Sequence, residues 1–284
     1  MTYTLNRLTH CTDVSPADWI GPRLAPFGSG VTAVVPGGFA AYARVLHRPQ
    51  SYGADVVTAS WAEVAASTGR AAYPLMQWHA IKAGLGEIPD WDGAEPDEGE
   101  LDPDQLPVLF GLLAERTTTP DDAYHALWNG FGGWTSGAMV MQAWSEGELP
   151  ASYPDDPASV RPDPIPPLLP PEVTEGPEVR LPHREYFLFA GPVTAAADFE
   201  ATREGFSLRE RQTPQLSWPS DLAWCVATEI DFDSTLVGGS EELVEAVLAQ
   251  DELEAYPVAP DDDLTFTGDV INDPTGDLAR RRYG

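Results

Sequence analysis

Apolar and polar positions change their period several times along the chain, and each change marks an element. "VTAVVPGGFAAYARVLH" carries apolar residues on both sides of Pro36-Gly37-Gly38, which predicts strands over Val31 to Val35 and Phe39 to Leu46 joined by a tight turn. "SWAEVAASTG" shifts to a helical pattern, with Ser60 and Glu63 as a capping box and Gly69 as the stop. "YPLMQWHAI" reads as a short helix opened by Pro74. Leu106, Leu109, Phe110 and Leu113 then line one face of a helix from Gln105 to about Glu115. A strand follows from about Ala123 to Phe131.

The second half is more regular. "REYFLFAGPV" predicts a strand, "TAAADFEATREG" a helix capped by Thr194, and "LAWCVATEIDF" another strand. "SEELVEAVLAQ" predicts a helix behind Gly238-Gly239, and "ELEAYPV" a last strand. Between the halves, residues 150–182 hold eleven prolines. Proline lacks the N–H that a sheet needs, so this segment is expected as an extended strap. Residues 259–284 show no apolar period and read as an acidic C-terminal tail. The fold class is α+β: a single domain over 1–258, with a mixed or mainly antiparallel sheet, short helices packed on it and the strap at 150–182. Two small α/β halves joined by the strap are the alternative.

Charge narrows the partners. The chain has 284 residues with 45 acidic and 16 basic side chains, a net charge of −29, and Lys82 is its only lysine. Nine of the acids fall within residues 87–104, which predicts a solvated loop. Such a field repels phosphate backbones and anionic membrane surfaces, so neither direct nucleic-acid binding nor membrane binding is expected. Cys11 and Cys225 form no disulfide framework. The opening "MTYTLNRLTHCTDVSP" lacks the apolar run of a signal peptide, and "LPVLFGLLA" is too short to cross a bilayer. The expected location is therefore cytoplasmic.

The candidate chemistry lies in "DLAWCVATEIDFDSTLVGGS", where Glu229, Asp231 and Asp233 occupy every second position. On a continuing strand they share one face, about 6.8 Å apart. Their mutual repulsion is about 0.6 kcal/mol in water but about 2.4 kcal/mol at an effective dielectric near 20. A solvated strand face tolerates that row; a cleft requires a cation, an arginine or a shared proton. In the cleft case Glu229 and Asp231 are the candidate catalytic pair, with room for a water between their carboxyls. Asp231 and Asp233 are the candidate ligands of a divalent cation such as Mg²⁺, Ca²⁺ or Mn²⁺. The solvated face is the simpler reading, because no histidine lies near. Walker, dinucleotide, nucleophile-elbow and EF-hand patterns are absent, and His10, His47, His79, His125 and His183 lack zinc-ligand spacing. His47 closes a predicted strand, where its ordinary role is a polar stop. Of nine tryptophans, Trp61, Trp78, Trp128 and Trp224 are expected in the core. Trp19, Trp91, Trp134, Trp144 and Trp218 are expected to plug loops onto it.

"WPSDLAWCVATEIDFDSTLVGGSEEL", with "VVPGGFAAYARVLHRP", "WAEVAA" and "LPHREYFLFAGPV", resembles a family of uncharacterised actinobacterial proteins with a "WP-D-AW-VATEID-DST-VGG" block. The resemblance spans most of residues 15–258 and implies one integrated unit. No activity and no site residues come with it. Three functions follow from the residues: an acidic protein-interaction module that holds a basic partner, a metal- or carboxylate-dependent hydrolase using Glu229 and Asp231, and a small-ligand binding protein with a tryptophan-lined pocket.

Overall fold

Antiparallel pairing organises the chain. The computed structural model describes residues 3–28, 30–50, 55–135, 166–202 and 209–283. Trp144 and the first half of the proline-rich segment lie outside the described residues. The first strands are β1 (Thr4–Leu5), β2 (Leu8–His10), β3 (Ala41–Leu46) and β4 (Ala123–Trp128). They are followed by β5 (Val179–Leu181), β6 (Arg184–Gly191), β7 (Glu200–Thr202) and β8 (Arg209–Arg211). The last are β9 (Leu216–Pro219), β10 (Cys225–Thr228), β11 (Ser234–Gly239) and β12 (Ala255–Val258). The helices are α1 (Trp61–Ser67), α2 (Trp78–Ile81), α3 (Gln105–Ala114), α4 (Gly132–Thr135), α5 (Pro171–Thr174), α6 (Glu241–Leu248) and α7 (Asp277–Tyr283).

Ten strands form one sheet in the order β1-β2-β6-β4-β9-β10-β11-β3-β12, with β5 also on β6; β7 and β8 make a separate ribbon. The ladders are antiparallel. β4 precedes the proline-rich segment, yet it pairs with β6 and β9 beyond it, so both halves build a single α+β domain. At the β12 edge stands Pro257, which offers no N–H to a passing strand.

Both faces of the central strands are covered. Ala43, Val45, Trp224, Val226 and Val237 lie under α3 and α6. Tyr42, Cys225, Ala227 and Leu236 lie under an N-terminal layer that contributes Ala17, Ile20, Val31 and Val35. Trp224 is wholly buried, and its indole N–H donates to the Leu113 carbonyl at 3.1 Å. Gly238 and Gly239 allow this packing. A Cβ would come within 2.6 Å of the Phe39 ring at Gly238, and within 2.5 Å of Leu243 at Gly239.

Several expectations shift. The helices at 60–69, 105–115 and 240–250 form as read, with the Ser60/Glu63 capping box and a Ser240 cap. Val31 to Val35 is not a strand: Val31–Ala33 is a 3₁₀ turn, and Val31 and Val35 use their i, i+4 spacing to face the sheet together. The helix expected from Thr194 is a 3₁₀ segment over Val193–Asp198 that gives way to β7. Arg7 binds the Asp198 carboxylate at 2.7 Å, and Phe199 turns fully into the core. The proline-rich segment does reach the sheet, because Val179–Leu181 falls between its prolines and pairs with β6. The C-terminal segment is docked rather than loose, through polar side chains that an apolar period does not register. The buried Asp269 carboxylate accepts from the Tyr73 hydroxyl (2.7 Å) and the Gln77 N–H (3.0 Å), and the Asp273 carboxylate accepts from the Ala279 N–H (2.9 Å) in α7. Among the described residues, no helix is long and apolar enough to cross a membrane.

Two histidines sit inside this framework. The His47 Nδ1–H donates to the Asp97 carbonyl (2.7 Å), which leaves Nε2 to accept from Thr235 (3.0 Å). The His125 Nε2–H donates to the Pro192 carbonyl (3.1 Å), and Nδ1 meets Ser217 (2.9 Å). Burial pulls both imidazoles down to about 4. Each histidine therefore contributes stability above the unfolded value near 6.5 that is lost as pH falls toward 4, because the unfolded chain takes up the proton first. Replacing His125 with Gln removes one such proton. Between pH 4.5 and 6 the slope of unfolding free energy against pH should flatten by about 1 kcal/mol per pH unit. Urea denaturation across that range reads it, and an unaltered slope would mean that His125 is already charged in the fold.

Candidate functional site

The acidic row does not continue the strand. β10 stops at Thr228, and residues 229–233 form the turn into β11, closed by the Phe232 N–H on the Glu229 carbonyl at 3.0 Å. The three carboxylates therefore do not share a strand face. Even so, the turn brings all of them to one cavity of about 500 Å³. Phe27, Gly28, Gly30, Ala33 and Val34 line it, together with Leu264, Thr265 and Phe266. Arg44 and Gln77 complete its inner end, and Glu98 stands at its rim.

The carboxylates differ sharply in surroundings. The Glu229 side chain is 9% exposed and that of Asp231 70%. A single Arg184 nitrogen, Nη2, donates to both, at 2.6 Å to Glu229 Oε1 and 2.9 Å to Asp231 Oδ2. The other Glu229 oxygen accepts from the Ile230 N–H at 2.5 Å. The guanidinium lies 5.8 Å from the centre of the Trp128 ring and 6.0 Å from that of Phe27. Burial pushes the Glu229 carboxyl up, and Arg184 pulls it back. Tyr186, buried beside Glu229, is pushed up as well, chiefly by burial.

Asp233 is served from the other side. Arg44, 1% exposed, holds it with Nη2 at 3.4 Å and lies 5.5 Å from the centre of the Trp61 ring. Its remaining donors go to Ser234 Oγ (3.0 Å) and to the carbonyls of Pro74 (3.1 Å) and Met76 (2.7 Å). Burial raises Asp233, with Arg44 opposing. Glu98 is raised by burial and by the neighbouring Asp233 charge, with Arg282 opposing, and it forms no ion pair among the described residues.

This geometry decides between the carboxylate chemistries. The place that a water would take between Glu229 and Asp231 is filled by Arg184 Nη2, so the open pair that an inverting glycosidase requires is not formed. Asp231 and Asp233 turn to different guanidinium groups. Among the described residues, no group of three or more His, Cys, Asp or Glu side chains is placed to hold a metal ion. Nor is the cavity tryptophan-lined: its aromatic residues are Phe27, Phe232 and Phe266, while Trp61, Trp218 and Trp224 are wholly buried in the cores.

The row of acids, read as a strand face, lies in this turn, while Arg44, Arg184 and the phenylalanine lips did not stand out in the sequence. One signal was present. An arginine inside "AYARVL" is a charge in a core strand, and such a charge must find partners nearby. Comparison with protein-family models, curated proteins and solved structures finds no match to the chain.

Proposed function

We propose that this is a binding protein whose cavity holds a positively charged group. The observation that carries the reading is the composition of the cavity wall. Glu98, Glu229, Asp231 and Asp233 face the guanidinium groups of Arg44 and Arg184, and Arg282 acts on Glu98 from outside the cavity, so four carboxylates stand against three guanidinium groups and the wall keeps an anionic excess. Phe27 and Phe266 stand half-exposed at the entrance. Aromatic faces beside carboxylates attract ammonium and guanidinium groups, and the volume is that of ordinary small-ligand sites. The basic-partner and small-ligand readings meet here, because either would present a cation. The hydrolase reading has less support, since both members of its catalytic pair are tied to Arg184.

A charge-matched pair of probes tests the proposal. 2-Phenylethylamine should raise the melting temperature while 2-phenylethanol, nearly its shape but neutral, should not. Glu98→Gln with Asp231→Asn should weaken amine binding by about tenfold, roughly 1.4 kcal/mol. Equal shifts from the alcohol and the amine, or none from either, would remove the proposal.

A further inference from the structure

The cavity is not uniform from entrance to floor. Its entrance is marked by Phe27, 56% exposed, Phe266, 50% exposed, and the exposed carboxylates of Asp231 and Glu98. Its floor is marked by Arg44 and Gln77, both more than nine-tenths buried. Charges near the floor are paired, Asp233 with Arg44 and Glu229 with Arg184. The anionic excess therefore sits at the mouth, where Glu98 makes no ion pair among the described residues and feels the Arg282 guanidinium only from outside the cavity.

The floor also has hydrogen-bonding capacity left over. A guanidinium carries five N–H donors. Arg44 spends Nε on Ser234, both Nη1 hydrogens on the carbonyls of Pro74 and Met76, and one Nη2 hydrogen on a long 3.4 Å contact with Asp233. Among the described residues, one Nη2 hydrogen has no acceptor. Gln77 donates through Nε2 to the Leu264 carbonyl at 3.3 Å, and its Oε1 accepts from none of the described residues. Two deeply buried side chains thus leave two donors, one Arg44 Nη2 hydrogen and the second Gln77 Nε2 hydrogen, and one acceptor, Gln77 Oε1, beside the same space.

We infer that the ligand is a small amine whose apolar body ends in an uncharged amide or hydroxyl, and that it enters with that neutral end first. The neutral group meets Arg44 Nη2 and Gln77 Oε1, the body lies against Phe232, Val34 and Leu264, and the ammonium stays between Phe27, Phe266, Glu98 and Asp231. A lysine or arginine side chain projecting from a protein would enter in the opposite sense. Its tip would arrive at a fixed guanidinium, with its backbone at the acidic mouth. This inference rests on the cation-binding reading and chooses within it a free small molecule over a basic protein.

Four probes separate the two statements, with affinities measured by calorimetry on the full chain. 4-(2-Aminoethyl)benzamide carries both ends, 2-phenylethylamine lacks the carboxamide, benzamide lacks the amine, and Nα-acetyl-lysine methylamide mimics a protein side chain. The carboxamide should tighten binding about tenfold over 2-phenylethylamine. Gln77→Leu should abolish that advantage and leave the affinity for 2-phenylethylamine within about twofold. If 2-phenylethylamine binds as tightly as its carboxamide, or if the lysine derivative binds tightest, the inference fails and the cation reading survives. If no amine binds more tightly than benzamide, both fail. The probe series on the unmodified chain decides without relying on any variant.

Discussion

Replacing Arg44 with methionine is expected to destabilise the fold by about 3–5 kcal/mol, the range for breaking one side of a buried ion pair. The loss does not come from the Asp233 contact alone, which is long at 3.4 Å. Removing the guanidinium also strands the Pro74 and Met76 carbonyls and the Ser234 hydroxyl, all of which it satisfies inside the fold. Those partners come from β11 and from the segment before α2, so one side chain ties the sheet to the layer beside the cavity. Lysine should not rescue the loss, because an ammonium on a flexible stem cannot reproduce a planar fork that reaches four partners at fixed angles. Adding Asp233→Asn to the methionine variant should recover about 1–2 kcal/mol by removing the unpaired charge. Urea denaturation at neutral pH measures all three variants. A methionine variant within about 0.5 kcal/mol of the parent would show that the Arg44 network is not part of what holds the turn.

Asp269→Ala is expected to cost about 2–4 kcal/mol, since charged hydrogen bonds contribute about 1.5–3 kcal/mol each and do not sum. The carboxylate accepts four: from the Tyr73 hydroxyl, the Gln77 N–H, the Asn272 N–H and the Asn272 side-chain amide. Two of them, from Tyr73 and Gln77, join the C-terminal segment to residues just before α2, and the same segment supplies the Leu264 and Phe266 wall of the cavity. Loss of stability should therefore come with faster hydrogen exchange over residues 264–283 and with weaker amine binding. If exchange there is unchanged while global stability falls, Asp269 supports the core and not the docking of the segment.

What the sequence revealed and what it hid follow physical lines. Helices with strong local signals were legible: the Ser60/Glu63 capping box and the i, i+3, i+4 face at Leu106 to Leu113 are decided within a few residues. Central strands were legible as apolar runs, because β10 and β11 are buried on both faces. Their ends were not. The period of "VATEIDFD" continues unbroken past Thr228, and only the β10–β11 turn shows where pairing stops. The docked C-terminal segment was hidden because Asp269 and Asn272 hold it with hydrogen bonds between distant parts of the chain. The site was legible by half. Three carboxylates every second residue would need a cation, an arginine or a shared proton only in a cleft, and the simpler reading was a solvated face; Arg184 and Arg44 lie on β6 and β3, and nothing local in the sequence links them to the turn.

The central claim is that a cation rests between the phenylalanine lips and the carboxylates of the cavity mouth. Titrating isotopically labelled protein with 2-phenylethylamine, and recording amide and aromatic chemical shifts, tests it most directly. Saturable shifts centred on Phe27, Glu98, Asp231 and Phe266, absent with 2-phenylethanol, are the predicted result. Shifts that fall elsewhere on the sheet, or that the neutral alcohol reproduces, would contradict it.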